Sequence, residues 1–308
     1  MGSRRERLAK AQRRTSMLVD QLAARAWKHI GPGPMAVAVD DEPRVALLVV
    51  NFSTTPYLKL LLLTLGGQQD LHLLHRIVVV DNDSRDGGAT FLDALGDRVD
   101  RLHVVHRRFR LSHGVGMRAA VRALDRVERR DPRPSNLLLF CDADVVWRDP
   151  RALGTLVEAI AEHHAVLAGE VRVGANQQPD IQASFFAVRR DVLARRDVAP
   201  LAHDGAPAYR MQRSIWDAGL PVLHIPTNLG GLILHRGRAG VEAAARHHPW
   251  HDYARGVANA RPHYMGVPGG ESIWRQIEAS HAALLDAAAE GSLVDRLARD
   301  LAPMGGRG

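Results

Sequence analysis

The chain has 308 residues, 46% of them hydrophobic and 24% charged, with a single cysteine and a formal net charge of +7. That length and apolar share suit a folded globular protein and exclude a disordered one. The longest apolar stretches, Val45 to Val50 and Leu60 to Leu65, fall far short of the roughly 18 to 20 residues a membrane-spanning helix requires, so no span is expected. A start without a long apolar segment and small-residue cleavage site argues against a secretory signal, and one cysteine, Cys141, excludes an internal disulfide. A reducing cytoplasm fits both.

The first element is a basic arm. Residues 1–28 hold eight Lys or Arg against Glu6 and Asp20, which leaves the other 280 residues with 33 basic and 32 acidic groups. The charge therefore belongs to the arm, and no zinc-finger spacing, aromatic RNA-binding signature or basic run in the body supports a nucleic-acid partner. Leu8, Ala11, Thr15, Leu18 and Leu22 recur at three- and four-residue spacing. That pattern describes a basic amphipathic helix, packed on the body or lying peripherally on the inner face of an anionic membrane. Gly31-Pro32-Gly33-Pro34 cannot continue a helix, so residues 1–43 read as helix and linker.

Strands and helices then alternate. Val45 to Val50 reads as a buried strand, Pro56 to Leu65 as a helix, Ile77 to Val80 as a strand, and Thr90 to Leu95 as a helix. Leu102 to Val105, the helix Gly116 to Val127 and the strand Leu137 to Phe140 follow, then a helix over Leu153 to Ala161 and strands at Val166 to Val171 and Ser184 to Val188. Tyr209 to Ala218 reads as a helix closed by Gly219, and Pro221 to Ile225 as a strand. The order predicts an α/β domain over 44–240 with a mostly parallel sheet flanked by helices. Residues 241–308 read as a helical extension: an alanine-rich helix, a loop with Pro262, Pro268, Gly269 and Gly270, and a last helix from Ile273 to about Ala289.

The chemistry sits at the ends of strands. Leu137 to Cys141 breaks into Asp142-Ala143-Asp144, and two carboxylates one residue apart share one side of a strand as it leaves the core. Hard oxygen ligands so placed suit a divalent cation with positions left open for phosphate oxygens. In an open parallel sheet ligands bind beyond the carboxyl ends of the strands. Here those ends are Asn51-Phe52-Ser53, Asp81-Asn82-Asp83 and Asp142-Ala143-Asp144, which would converge on one crevice, where Asp81 can accept hydrogen bonds from a nucleobase edge.

The order of these motifs resembles the nucleotide-sugar-dependent glycosyltransferases of the GT-A fold, in particular the inverting glycosyltransferase family 2. Val49-Val50-Asn51-Phe52 matches the end of the family's first strand, and Val79-Val80-Asp81-Asn82-Asp83-Ser84-Arg85-Asp86-Gly87 its Val-Val-Asp-Asp-Gly-Ser-x-Asp-Gly segment. His113-Gly114-Val115-Gly116-Met117-Arg118 matches the glycine-rich helix start, and Asp142-Ala143-Asp144 the D-x-D. The likeness covers roughly residues 44–150 well and 165–240 loosely. It implies sugar transfer from a nucleoside diphosphate sugar, UDP-type by default, by direct displacement with inversion, assisted by Mn²⁺ or Mg²⁺.

By the same resemblance Asp81 contacts the base and Arg118 the base or diphosphate, with Asn51, Phe52, Asp83 and Ala143 also lining the donor site. Asp142 would hold ribose or metal and Asp144 the metal. Asn228 to Gly240 is similar to the histidine and glycine segment that completes many such sites, which makes His235 a third ligand and Arg236 or Arg238 a phosphate partner. Family members often carry a Glu-Asp pair as base at the start of the helix before the last core strand, where this chain has Pro207-Ala208. Asp204, in His203-Asp204-Gly205, is then the candidate base, ahead of Asp217.

Three other readings compete. Gly114-Val115-Gly116-Met117-Arg118-Ala119 fits a relaxed G-x-G-x-x-A dinucleotide fingerprint, with Asp142 lying 23 residues beyond it, as in an NAD(P)-dependent oxidoreductase. The missing Glu-Asp pair keeps open a non-catalytic nucleotide-sugar or membrane-surface binding protein. A nucleotidyltransferase would show a glycine-rich basic loop after strand one, which Asn51 to Tyr57 lacks. His247, His248 and His251 include a zinc-like spacing, but Pro249 breaks the helix such a pair needs.

Overall fold

The computed structural model describes residues 4–37, 42–109, 112–173, 179–202, 208–247 and 261–302. In chain order its first half comprises α1 (Arg4–His29), β1 (Val45–Asn51), α2 (Thr55–Gly66), β2 (Leu74–Asn82), α3 (Gly88–Gly96), β3 (Leu102–Arg107), α4 (His113–Val127) and β4 (Leu137–Asp142). There follow β5 (Val145–Trp147), α5 (Ala152–Glu162), β6 (Leu167–Val173), β7 (Pro179–Arg189), α6 (Arg190–Ala194), α7 (Tyr209–Asp217), β8 (Val222–His224), β9 (Ile233–His235) and α8 (Ala239–His247). α9 (Gly270–Ser280), α10 (Ala282–Leu285) and α11 (Glu290–Asp300) close the described chain.

β1 is buried along its whole length because it is central to a seven-stranded sheet of order β3-β2-β1-β4-β7-β6-β8. β1 runs parallel to β2 and β4, and β2 parallel to β3, whereas β7 is antiparallel to both β4 and β6. Successive side chains of β1 feed opposite layers. Val45, Leu47 and Val49 pack with Leu61, Phe91, Leu156 and Leu297 of α2, α3, α5 and α11. Ala46, Leu48 and Val50 pack with Met117, Val121 and Leu124 of α4, Met211 and Ile215 of α7, and Trp27 of α1. The predicted α/β architecture with helices on both faces is the one observed.

Register brings the polar strand ends together. Asn51 lies opposite Asp81, and Val50 opposite Asp142, so three strand ends finish along one edge of the sheet. Gly116 makes this possible: a Cβ there would lie 2.8 Å from Val50 Cγ1, so only glycine lets α4 sit this close to β1.

Two elements differ from expectation. The single helix expected from Ile273 to about Ala289 is instead divided between α9 and α10, and the extension closes with α11, which runs on to Asp300. Asp286 adopts extended backbone and accepts a hydrogen bond from the Ala288 N–H, capping a new turn in place of continuing the old one. β5 and β9 pair antiparallel as a separate two-stranded sheet that three-residue strands do not announce in sequence. Among the described residues no helix is long and apolar enough to cross a membrane.

α1 docks through Ala24 and Trp27, with Arg122 of α4 over the Trp27 ring at 5.9 Å. Its Lys28 ammonium donates to the Val198 carbonyl, and burial lowers its pKa to about 8 despite the opposing pull of Asp197. The unfolded chain therefore binds more protons between about pH 8 and the ordinary value of 10.5, and unfolding free energy rises with pH across that window. Wild type is expected to gain stability relative to Lys28→Met between about pH 7.5 and about pH 9.5, as read from urea midpoints. A constant difference between the two proteins would contradict this account.

Candidate active site

Asp142 ends β4 and Asp144 lies two residues on, just before β5. The antiparallel pairing of β5 with β9 sets His235 directly opposite Val145, next to Asp144, although the two lie 91 residues apart in sequence. His235 Nε2 is 3.1 Å from Asp144 Oδ1 and 3.5 Å from Asp142 Oδ2. Asp144 Oδ2 accepts the backbone N–H of Ala239 at 3.2 Å, at the start of α8. The His235 N–H donates to Asn228 Oδ1 at 2.9 Å. The Asn228 turn is itself pinned by Glu170, a buried carboxylate that accepts from the N–H groups of Asn228 and Leu229.

Electrostatics separate the two carboxylates. Burial raises the Asp142 pKa, and Asp144 adds to this, although His113 and His235 pull the other way. Burial acts to raise Asp144 too, but the His235 charge and hydrogen bond, the Ala239 N–H and Arg236 outweigh it and hold this carboxyl low. For His235 burial is outweighed by Asp144 and Asp142, which raise it above the ordinary histidine value. The two carboxylates, Asp144 buried and Asp142 partly so, repel each other, which disfavours both being charged without a cation between them. The same oxygens and the imidazole nitrogen all lie within 4.8 Å of one another, a donor set that suits a divalent cation.

A second trio, His75, Glu128 and Asp131, is equally close-set. There Arg76 stands 3.1 Å from Asp131, and Arg190 is hydrogen-bonded to Glu128, so guanidinium groups already supply the positive charge.

Asp81 is buried at the end of β2. Its Oδ1 accepts from the Ser84 N–H at 3.3 Å, and its Oδ2 lies 3.0 Å from Nδ1 of His106, its cross-strand partner on β3. His106 Nε2 reaches Asp93 of α3 at 2.8 Å. Burial alone would lower His106, but hydrogen bonds to the two carboxylates hold it above the ordinary histidine value.

The Asp81–Gly88 turn is stitched to the end of β1. Asn51 Nδ2 donates to Ser84 Oγ at 3.1 Å, the Ser53 N–H donates to the same oxygen at 2.8 Å, and Asp86 accepts from the Thr55 N–H at 2.8 Å, capping α2 from outside. Asn51 thus works as a scaffold for this turn, and Phe52 is buried beside it against Ala243 and Ala244 of α8. Asp83 has positive φ and lies 3.9 Å from Arg85.

Arg236 follows β9, its guanidinium 4.5 Å over the Tyr57 ring and donating to Glu242 at 2.9 Å. Tyr57 also donates to Glu242, and burial raises its phenol to about 12, against the pull of Arg236. Arg236 Nη1 and His235 Nδ1 are buried and find no hydrogen-bond partner among the described residues.

The structure does not bring Arg118 into this group. It is buried on α4 with its guanidinium engaged by Asp20 of α1 and by the Leu201 carbonyl at 2.7 Å. Ala143 is buried between the two aspartates. Asp204 lies outside the described residues, as do His248 and His251. His113, quoted in the sequence motif without a role, sits at the N-terminus of α4 with Nε2 3.2 Å from Asp142 Oδ1. His106 and Tyr57 also went unmarked. A histidine in strand register with Asp81 was the available signal for the first, and nothing in sequence pointed to the second. Gly114 and Gly116 lie inside α4, not in a loop that could cradle a diphosphate, which removes the structural context of the dinucleotide fingerprint.

A mostly parallel sheet whose strand ends gather a buried carboxylate, a paired-aspartate turn and an incoming histidine is the architecture of a GT-A-type glycosyltransferase. The chain belongs to glycosyl transferase family 2, whose model matches residues 47–217. Among solved structures it is similar to the mannosyltransferase PcManGT from Pyrobaculum calidifontis in complex with GDP-Man and Mn²⁺, at 17% identity and TM-score 0.44, over 95% of this chain and 84% of that one. It is also similar to S. aureus TarS 1-349, at 15% identity and TM-score 0.43, over 84% of this chain and 90% of that one. No curated protein matches.

Proposed function

We propose that this glycosyltransferase moves a sugar from a nucleoside diphosphate sugar, UDP-type, to an acceptor hydroxyl with inversion, using a divalent cation held by Asp142, Asp144 and His235. The observation that carries the reading is the convergence of these three side chains beside the Asp81 strand end. When bound, Mn²⁺ or Mg²⁺ supplies Lewis-acid stabilisation of charge developing on the departing diphosphate. Asp81 accepts from the nucleobase edge, with His106 and the Ser84 N–H fixing its carboxylate. Arg236 offers its unpartnered Nη1 to a phosphate oxygen, while Glu242 and the Tyr57 face orient the guanidinium. Asp204 takes the proton of the acceptor hydroxyl. Arg118 has no part in donor binding here, because its donors are engaged. The catalytic unit is residues 44–240, preceded by the basic helix and followed by the helical extension.

A thermal-shift panel of nucleoside diphosphates with and without Mn²⁺ tests the reading, since a ligand of the folded state raises stability by RT ln(1 + [L]/Kd). UDP is expected to raise Tm only when Mn²⁺ is present, and Asp81→Ala to lose the preference for one base while keeping the Mn²⁺ response. A protein insensitive to every nucleotide would refute the donor site, and a metal-independent response would refute the cation.

A further inference from the structure

α1 packs on the body by the wrong face for an ordinary amphipathic helix. Asp20, Ala24 and Trp27, spaced at four and three residues, point inward: Asp20 is tied to buried Arg118, Trp27 lies under Arg122, and Lys28 beyond them bonds to Val198. The described part of the apolar stripe evident in the sequence, Thr15, Leu18 and Leu22, points outward. Leu18 is 57% exposed, Val19 60%, Leu22 56% and, just past the helix, Ile30 87%. Thr15, Ala23 and Ala26 are exposed alongside them. A helix 26 residues long, with an inner polar anchor and an outer row of large aliphatic side chains, leaves that row uncovered among the described residues.

Charge identifies the occupant. The stripe runs through the one strongly basic segment of a near-neutral protein, and Asp20, one of its two acids, is neutralised internally by Arg118. Arg25 stands exposed among the apolar residues. Exposed aliphatic side chains beside Arg25, in a segment of basic sequence, match a surface that offers hydrocarbon below and negative headgroups above. A second copy of the chain would set the same basic segments against each other, which like-charge repulsion disfavours.

We infer that the outward face of α1, through Leu18, Val19 and Leu22, docks the protein peripherally on an anionic phospholipid membrane, and that the Asp20–Arg118 pair with Trp27 holds the helix rotated for that contact. This inference is independent of donor and metal. The helix so held touches α4 through Arg118 and Arg122, and the first residue of α4, His113, lies 3.2 Å from Asp142.

Vesicle flotation of the full chain tests it, with phosphatidylcholine vesicles containing about 30% phosphatidylglycerol and with phosphatidylcholine alone. The protein is expected to float with the anionic vesicles only, and to be released on raising salt from about 0.1 M to about 1 M. Leu18→Gln/Leu22→Gln is expected to lower the vesicle partition coefficient by about tenfold or more. Its unfolding midpoint should match wild type, because both positions face solvent. Val19→Gln/Leu22→Gln serves as a second pair should the first not fold. Failure of wild type to float with anionic vesicles, or flotation unaltered by the folded double variant, overturns the inference. So does a wild-type dimer in light scattering that the double variant converts to monomer, since a second copy would then cover the stripe.

Discussion

Asp144→Ala is expected to lower metal-dependent turnover of the nucleotide sugar by about a thousandfold, roughly 4 kcal/mol of transition-state stabilisation. Asp144 is the member of the trio held most firmly ionised, gripped by His235 and by the Ala239 N–H. Its removal takes away a proposed ligand and at the same time frees the His235 imidazole that the same proposal makes the next one. The folded apoprotein should suffer less, because the change also removes the like charge that raises Asp142. Initial rates across a Mn²⁺ titration, paired with thermal shifts in the same Mn²⁺ series, separate the two effects. Wild-type turnover in the variant at saturating Mn²⁺ would exclude Asp144 as a ligand. Loss of turnover with an unchanged Mn²⁺ shift would assign it a role other than metal binding.

Arg190→Met is expected to cost about 3–5 kcal/mol of unfolding free energy. This side chain is fully buried at the opposite end of the sheet from the site. Its Nη1 donates to Glu128 and to the Ser135 carbonyl at 2.9 Å, and its Nη2 to Asp125 at 2.6 Å. Glu128 is equally buried and also accepts from the Ser135 hydroxyl at 2.6 Å. A methionine fills most of the volume but strands two carboxylates, and burial already acts to raise Asp125. The double variant Arg190→Met/Glu128→Gln should recover part of the loss, because one stranded charge goes with it. Chemical denaturation of the four proteins of this cycle measures both numbers, and a single-variant cost below about 1 kcal/mol would show the network to be dispensable.

The strand ends were legible because a run such as Leu137 to Cys141 has no reason to break into Asp-Ala-Asp except to leave the core. Parallel order followed from alternation, and with it the prediction that Asn51, Asp81 and Asp142 share an edge, as the register of β1 with β2 and β4 bears out. What stayed illegible was whatever depends on partners distant in sequence. β5 and β9 are three residues each, too short for periodicity, yet their pairing is what delivers His235. Arg118 matched a motif position, but its guanidinium answers to Asp20, on a helix whose docking face composition could not assign. The stripe of Thr15, Leu18 and Leu22 was visible as a pattern, and its outward direction was not, because periodicity reports a face without saying which way it looks.

The long sequence separation between the paired aspartates and His235 has a further consequence during synthesis. A nascent chain can complete the β3-β2-β1-β4 half of the sheet before β9 is available, and at that stage the two aspartates have His113 beside them but not His235. The trio of Asp142, Asp144 and His235 is therefore complete only after β9 emerges and pairs with β5.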